Sequence, residues 1–160
     1  MKQILLTKGQ FALVDDEDFE YLNQFKWCAV KGSNTYYAIK SGYNKGKNPQ
    51  IKMHRLISKL NDSNILCDHK DNNGLNNQKE NLRISNKSQN GMNRGPQKNG
   101  TSKYKGVSWF AKANKWMAKI TLNRKQIYIG YFEDIIDAAK AYDEKAKELF
   151  GEFAWLNFKE

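Results

Sequence analysis

Asp68-His69-Lys70-Asp71-Asn72-Asn73-Gly74-Leu75-Asn76-Asn77-Gln78-Lys79-Glu80-Asn81-Leu82-Arg83, followed at Asn90 by a further carboxamide, is the stretch on which the N-terminal fold turns. It places a carboxylate, an imidazole and several amides in one short segment. Single-metal hydrolysis of a phosphodiester requires such side chains. A histidine takes a proton from water near neutral pH, and an aspartate and an amide oxygen suit a hard, water-rich divalent cation. Asp68 and His69 are sequence neighbours, so a regular strand would point them to opposite faces. Both can face one phosphate only at a bulge or a strand end.

At these residues the chain resembles the HNH nuclease family, in the branch of intron-encoded and phage homing endonucleases. The resemblance implies a ββα-metal element over residues 53 to 93. One strand carries Asp68-His69, a loop and second strand lead to Asn81-Leu82-Arg83, and a helix supplies the last metal ligand. It implies His69 as proton acceptor, Asn81 as the residue that holds the loop and orients the imidazole, and Asp68 and Asn90 as ligands of one Mg2+ (or Mn2+) per active site. Many relatives carry histidine where Asn90 stands; its amide oxygen favours magnesium or manganese over zinc. His54 lies in a Met53-His54-Arg55-Leu56 setting that recurs in this branch, which makes it a possible neighbour of the active centre. Packing is the plainer role for a lone histidine beside apolar residues.

Plainer readings of the same residues are open. Asp71-Asn72-Asn73-Gly74 is a calcium-loop fragment without the distal glutamate. Cys28, Cys67, His54 and His69 are zinc-type ligands without a paired short spacing. An Asn/Asp-rich turn with one incidental histidine is the third.

Composition points to a polyanionic partner. With 27 Lys+Arg against 17 Asp+Glu the chain of 160 residues carries a net charge of +10, and its field attracts nucleic acid. No apolar run approaches the roughly 18 residues that span a bilayer, and no signal segment is visible, so no membrane association and no secretion are expected. The 2 cysteines make no disulfide framework, in keeping with a reduced, cytoplasmic setting in a bacterial or phage-infected cell. Charge is uneven along the chain. Lys26, Lys31, Lys40, Lys45, Lys47, Lys52, Arg55 and Lys59 fall in a stretch without acids, and Lys103, Lys105, Lys112, Lys115, Lys119, Arg124 and Lys125 in a second. Two such stretches flanking the Asp68-to-Arg83 segment favour phosphate contact over merely solvated faces.

The N-terminal part predicts strands at 11–14, 25–30 and 36–39, a short acidic-capped helix over 15–23 and another over 53–60. Asn86 can cap a following helix. Gly95-Pro96 and Asn99-Gly100 then read as a linker over 95–102, separating a nuclease domain at 1–94 from a C-terminal domain at 103–160.

In that C-terminal part, 104–110, 115–122 and 126–132 predict three strands with short turns. Asp134 starts a helix whose Ile135, Ala138, Ala139, Tyr142, Ala146 and Leu149 form an apolar stripe to cover the sheet. The opposite face should then present Lys115, Met117, Lys119 and Thr121 to solvent, a basic and aromatic surface able to enter a major groove. At Tyr104-x-Gly-Val, Trp116-x-Ala-x-Ile, Ile129-Gly-Tyr-Phe, Ala138-Ala-x-Ala-Tyr-Asp and Leu156-Asn-Phe the segment resembles the Apetala/ethylene-response-factor (AP2/ERF) DNA-binding domain. The resemblance implies DNA contacts at Lys105, Ser108, Phe110, Lys112, Lys119, Thr121, Gln126 and Tyr128. Several of these are arginine or tryptophan in the plant relatives, which implies a different target sequence or lower base specificity.

The expected fold class is α+β: a small N-terminal sheet with the ββα-metal element, then a three-stranded antiparallel sheet on one helix. The expected function is site-directed cleavage of double-stranded DNA, nicking one strand, by a monomer with no obligate protein partner. The alternative is a DNA-binding regulator whose nuclease element is catalytically silent.

Overall fold

A computed structural model describes residues 1–42, 49–62, 64–97 and 99–158. Lys45 and Lys47 of the first basic stretch lie outside them. The chain divides into two compact units, Met1–Asn86 and Lys87–Glu160. This division falls earlier than the linker expected over 95–102. The reason is packing: Met92, on the short helix after Asn86, lies against the C-terminal hydrophobic cluster of Ile120, Tyr142, Ala146 and Phe150.

The first unit is built from short antiparallel pieces. Strand β1 (Lys2–Leu5) pairs with β2 (Phe11–Val14) around a turn where Lys8 and Gly9 both take positive φ. Helix α1 (Asp16–Asn23) follows, and β3 (Cys28–Lys31), β4 (Tyr36–Ser41) and β5 (Gln50–Lys52) form a three-stranded sheet with β4 central. Helix α2 (Met53–Ile57) leads to the pair β6 (Leu66–His69) and β7 (Leu82–Ser85). The core is Ile4, Leu6, Ala12, Val14, Leu22, Trp27, Ala29, Ala38 and Met53. Full burial of side chains the size of Leu22 and Met53 is worth about 2–3 kcal/mol each.

Three local readings are corrected by tertiary contacts. Phe25 and Lys26 precede β3 rather than joining it, because Trp27 only bridges Leu6 and its indole nitrogen donates to Leu22 O at 2.8 Å. The helix expected over 53–60 ends at Ile57: Lys59 turns left-handed (φ 52), and Arg55 donates to the carbonyls of Leu60, Asp62 and Ile65. Arg55 is therefore a staple for the loop that delivers β6. Asp15 precedes α1, yet its carboxylate makes no capping hydrogen bond. It accepts instead from the backbone of Lys79 (2.8 Å) and from the Gln78 side chain (3.4 Å), tying α1 to the turn before β7.

The second unit holds α3 (Lys87–Met92), β8 (Val107–Phe110), β9 (Lys115–Leu122), β10 (Lys125–Phe132) and α4 (Ile135–Phe150). The sheet is antiparallel in the order β10, β9, β8. Asp134 caps α4, its Oδ1 accepting from the backbone of Ile136 (2.6 Å) and Asp137 (3.3 Å). Ala138, Ala139, Tyr142 and Ala146 are buried, as the stripe predicts, whereas Leu149 is only half-buried and Phe150 takes the inner position. Asn123 (φ 51) and Arg124 (φ 65) form the two-residue tip between β9 and β10, the left-handed pair that matches strand twist in a tight hairpin.

Gly106 is where the unit tolerates no side chain. Its φ is +76°, and a Cβ there would lie 2.0 Å from the Tyr142 ring. Its carbonyl accepts from Lys119 N at 2.8 Å. Gly106→Ala combines a left-handed backbone penalty with overpacking and is expected to cost about 3 kcal/mol or more, measured by urea denaturation of the full chain.

Candidate nucleic-acid interface and a buried histidine centre

The registers decide which side chains share the sheet face opposite α4. Met117 on β9 pairs with Ser108 on β8 and Tyr131 on β10, Lys115 with Phe110, Lys119 with Tyr128, and Thr121 with Gln126. Trp116, Ala118 and Ile120 alternate with these and belong to the clusters beneath α4. The outer face thus gathers Ser108, Phe110, Lys119, Thr121, Gln126 and Tyr128, all expected contacts. Tyr128 is 64% exposed. Met117 departs from its expected exposure at 9%, because it lies on the central strand between Ser108 and Tyr131.

Two other expected contacts sit elsewhere. Lys112 is exposed in the turn between β8 and β9. Lys105 precedes β8, half-buried; its amine donates to Met92 O, and burial lowers its pKa to about 8. Its backbone is held by Asn157, whose Oδ1 accepts from Lys105 N at 2.7 Å and whose amide donates to buried Asp143 at 3.0 Å. Lys105 is thus a tether between α3 and the segment entering the sheet. Lys115 forms an ion pair with Glu133 at 2.9 Å, which reduces its contribution to the field.

Sequence alternation missed Tyr131. From Gln126 and Tyr128, period two leads to Gly130; a register shift between Tyr128 and Gly130 puts Tyr131 on the outer face instead. Its ring centroid lies 5.3 Å from that of Phe110.

In the first unit, Asp68 and His69 end β6 and are both buried, with Arg83 and Leu82 as register partners. The Arg83 guanidinium donates to Asp68 Oδ2 at 2.9 Å, inside the fold. The His69 ring lies 4.9 Å from that of His54 and 6.0 Å from that of Tyr37. The structure therefore brings His54 beside His69 in the buried interior.

The loop between β6 and β7 is an amide network. Asn81 Oδ1 accepts from Asp71 N (3.0 Å), and its amide donates to Asp71 Oδ1 (2.9 Å) and Asn76 O (2.8 Å). Asp71 also accepts from Asn73 N and Asn76 Nδ2, so local amides occupy the carboxylate of the calcium-like fragment. The loop docks on β2 through Leu13 N to Leu75 O and Asn77 N to Leu13 O, both 2.8 Å. Asn81 holds the loop, but the imidazole partner is Asn77, fully buried, 3.3 Å from His69 Nε2. Because Asn77 Nδ2 donates to Leu75 O, its Oδ1 faces His69, so Nε2 carries the proton and Nδ1 is the basic nitrogen. Nothing in the sequence sets Asn77 apart from its neighbouring asparagines; only its burial does.

Asn90 lies half-buried on α3, in the second unit. Among the described residues no three His, Cys, Asp or Glu side chains gather as metal ligands, so Cys28, Cys67, His54 and His69 do not assemble the zinc-type set. Asp68 offers one hard carboxylate, suited in kind to magnesium, which keeps most of its shell as water. Among the described residues no helix is long and apolar enough to cross a membrane.

Comparison with known proteins bears on one part of the chain. A stretch of 65 residues, 41% of the chain, is 37% identical to AP2-like ethylene-responsive transcription factor TOE2 of Arabidopsis thaliana, covering 13% of that protein. It is also 37% identical over 65 residues to APETALA2-like protein 2 of Oryza sativa, in both subsp. indica and subsp. japonica, covering 15%. The match thus spans about one seventh of these relatives' length. No family model matches the chain. The similarity supports an AP2-type domain, with which a three-stranded sheet on one helix is consistent; it gives no support to a nuclease element.

Burial lowers the pKa of both histidines, that of His54 to about 3, with His69, Lys52 and Arg55 adding repulsion. Folded His54 is neutral, whereas the unfolded chain binds its proton below about 6.5. Its stabilising contribution is present above that pH and lost as pH falls toward 3. Between pH 7 and pH 5 the loss is about 2 kcal/mol. His54→Phe should flatten this decline in urea denaturation at the two pH values.

Proposed function

We propose that this chain is a sequence-reading DNA-binding protein whose β8–β9–β10 sheet enters the major groove of double-stranded DNA, a regulator of the kind its named transcription-factor relatives are. The observation that carries this reading is the shared face of Ser108, Phe110, Lys119, Thr121, Gln126 and Tyr128, with α4 confined to the other side. Lysine supplies phosphate attraction, Thr121 and Gln126 supply donors and acceptors for base edges, and the aromatic rings pack on sugars or thymine methyls.

Selection from a randomised duplex pool should return a defined site. Lys119→Ala should weaken binding to it and reduce the slope of log K against log salt by about one. Recovery of no preferred duplex sequence, or an unchanged slope in the variant, would remove this face from the interface.

A second reading, hydrolysis of one DNA phosphodiester by the HNH-like element, rests on the His69 centre. His69 ends its strand as a neutral base oriented by Asn77, inside a loop clamped by Asn81. Asp68 would hold a magnesium ion that keeps most of its shell as water. Such an ion, when bound, stabilises charge on the transition-state and leaving oxygens. His69 Nδ1 would take the proton from the attacking water. Arg83 argues for the silent alternative, because its guanidinium already neutralises Asp68.

Supercoiled plasmid carrying the selected site separates the two. Magnesium-dependent nicking by the protein, abolished in His69→Ala while binding is kept, would establish the nuclease. Binding without conversion would leave the regulator.

A further inference from the structure

The second unit contains an open groove of about 1280 Å3 at the end of the sheet that carries the β9–β10 tip. One wall is α3 and the segment after it, contributing Lys87 and Arg94; the other is the sheet end, with Lys119, Arg124 and Gln126. Lys105 lies in the groove and links its walls through Met92 O. Among the described residues that line it, five are bases (Lys87, Arg94, Lys105, Lys119, Arg124) and none is Asp or Glu. Lys87, Arg94 and Arg124 are exposed to solvent. Arg124 holds its charge at the tip in a left-handed conformation (φ 65), where glycine would sit without strain.

The groove is continuous with the outer sheet face, since Ser108, Lys119, Thr121 and Gln126 belong to both. A duplex lying on that face presents a sugar–phosphate strand at the edge of its major groove, with one negative charge about every 3.4 Å per strand. A trough with cations on both walls is shaped for such a strand. Its serine, threonine and glycine lining, including Ser88, Ser102 and Gly95, adds phosphate donors and allows close backbone approach. We propose that this groove seats the phosphate backbone of one DNA strand, making α3 and the segment after it a second jaw that closes on DNA read by the sheet. The proposal rests on the DNA-binding reading above and extends it to residues outside the sheet. Lys87 and Arg94 contact phosphate rather than bases, so they set affinity and register without choosing sequence.

Lys87→Ala/Arg94→Ala in the full chain should lower the slope of log K against log salt by about two on the selected duplex, from about 0.9 per lost contact. Relative affinities for single-base variants of the site should be unchanged. Hydroxyl-radical protection should shrink on one strand. Lys87→Arg/Arg94→Lys, which keeps both charges, should retain the slope and guards against a folding defect. Lys140→Ala, an exposed base on α4 outside the groove, should change nothing. An unchanged slope and footprint in the double alanine variant would overturn the second jaw while leaving the sheet reading intact. Failure of the wild-type chain to bind any duplex would overturn both.

Discussion

The closeness of α4 to its sheet is the constraint on which the C-terminal unit depends. Gly106 and the buried ring of Tyr142 meet with no room for a Cβ, and Ala138, Ala139 and Ala146 allow the same approach along the helix. With so short a spacing, one helix packs against the inner side chains of all three strands, Val107, Trp116, Ala118, Ile120 and Ile129 among them. The outer face is then free to carry polar and aromatic side chains that a second layer would otherwise bury. Asp143 and Asn157 complete the arrangement. The carboxylate at the buried side of α4 accepts from the backbone of Asn157 and Phe158 at 2.9 Å, and Asn157 in turn grips both backbone groups of Lys105. Helix, chain end and the entry to β8 form one hydrogen-bonded body.

The N-terminal unit solves a different problem, holding a polar strand end inside a small fold. A buried histidine costs least when it is neutral, and a buried aspartate when it is paired. Both conditions are met: His69 has Asn77 on Nε2, and Asp68 has Arg83. The loop that supplies Asn77 is held by the Asn81 amide on Asp71 and Asn76 and by its docking on β2, with Asp15 and Lys79 fastening its far end to α1. Such a centre is held in position whether or not it performs chemistry, and for that reason its geometry supports either reading of the unit.

Electrostatics gives the outer sheet face and the groove beside it a common sign. The acids of the second unit stand largely on α4, where Asp137, Glu144 and Glu148 are exposed. Most of the bases stand on the strands, the hairpin tip, α3 and the segments that join them, while α4 carries Lys140, Lys145 and Lys147 among its acids. A polyanion approaching the unit therefore meets an oriented field rather than a merely positive one, which favours encounter in one pose. Lys115 is the exception, because Glu133 neutralises it at the end of β10.

How much of this was legible in the residues differs by element. Strands β9 and β10, the Asp134 cap and the alanine stripe of α4 follow from alternation, capping chemistry and helical period, all local in sequence. Strand β1, strand β5, the early end of α2 and the diversion of Asp15 do not, because each depends on a partner far along the chain. The resemblance named His69 and Asn81, while burial alone picked out Asn77 among similar asparagines, and a single register shift moved Tyr131 to the outer face. By itself the sequence determined composition, charge sign, the order of the main elements and most of the side chains on the sheet, since those rest on short-range periodicity. Only the tertiary structure decided where the units divide, that Lys105 tethers α3, that Arg83 occupies Asp68 and that an acid-free groove opens beside the sheet. Each of these is set by which distant groups fold to within hydrogen-bonding distance, and no local pattern encodes that.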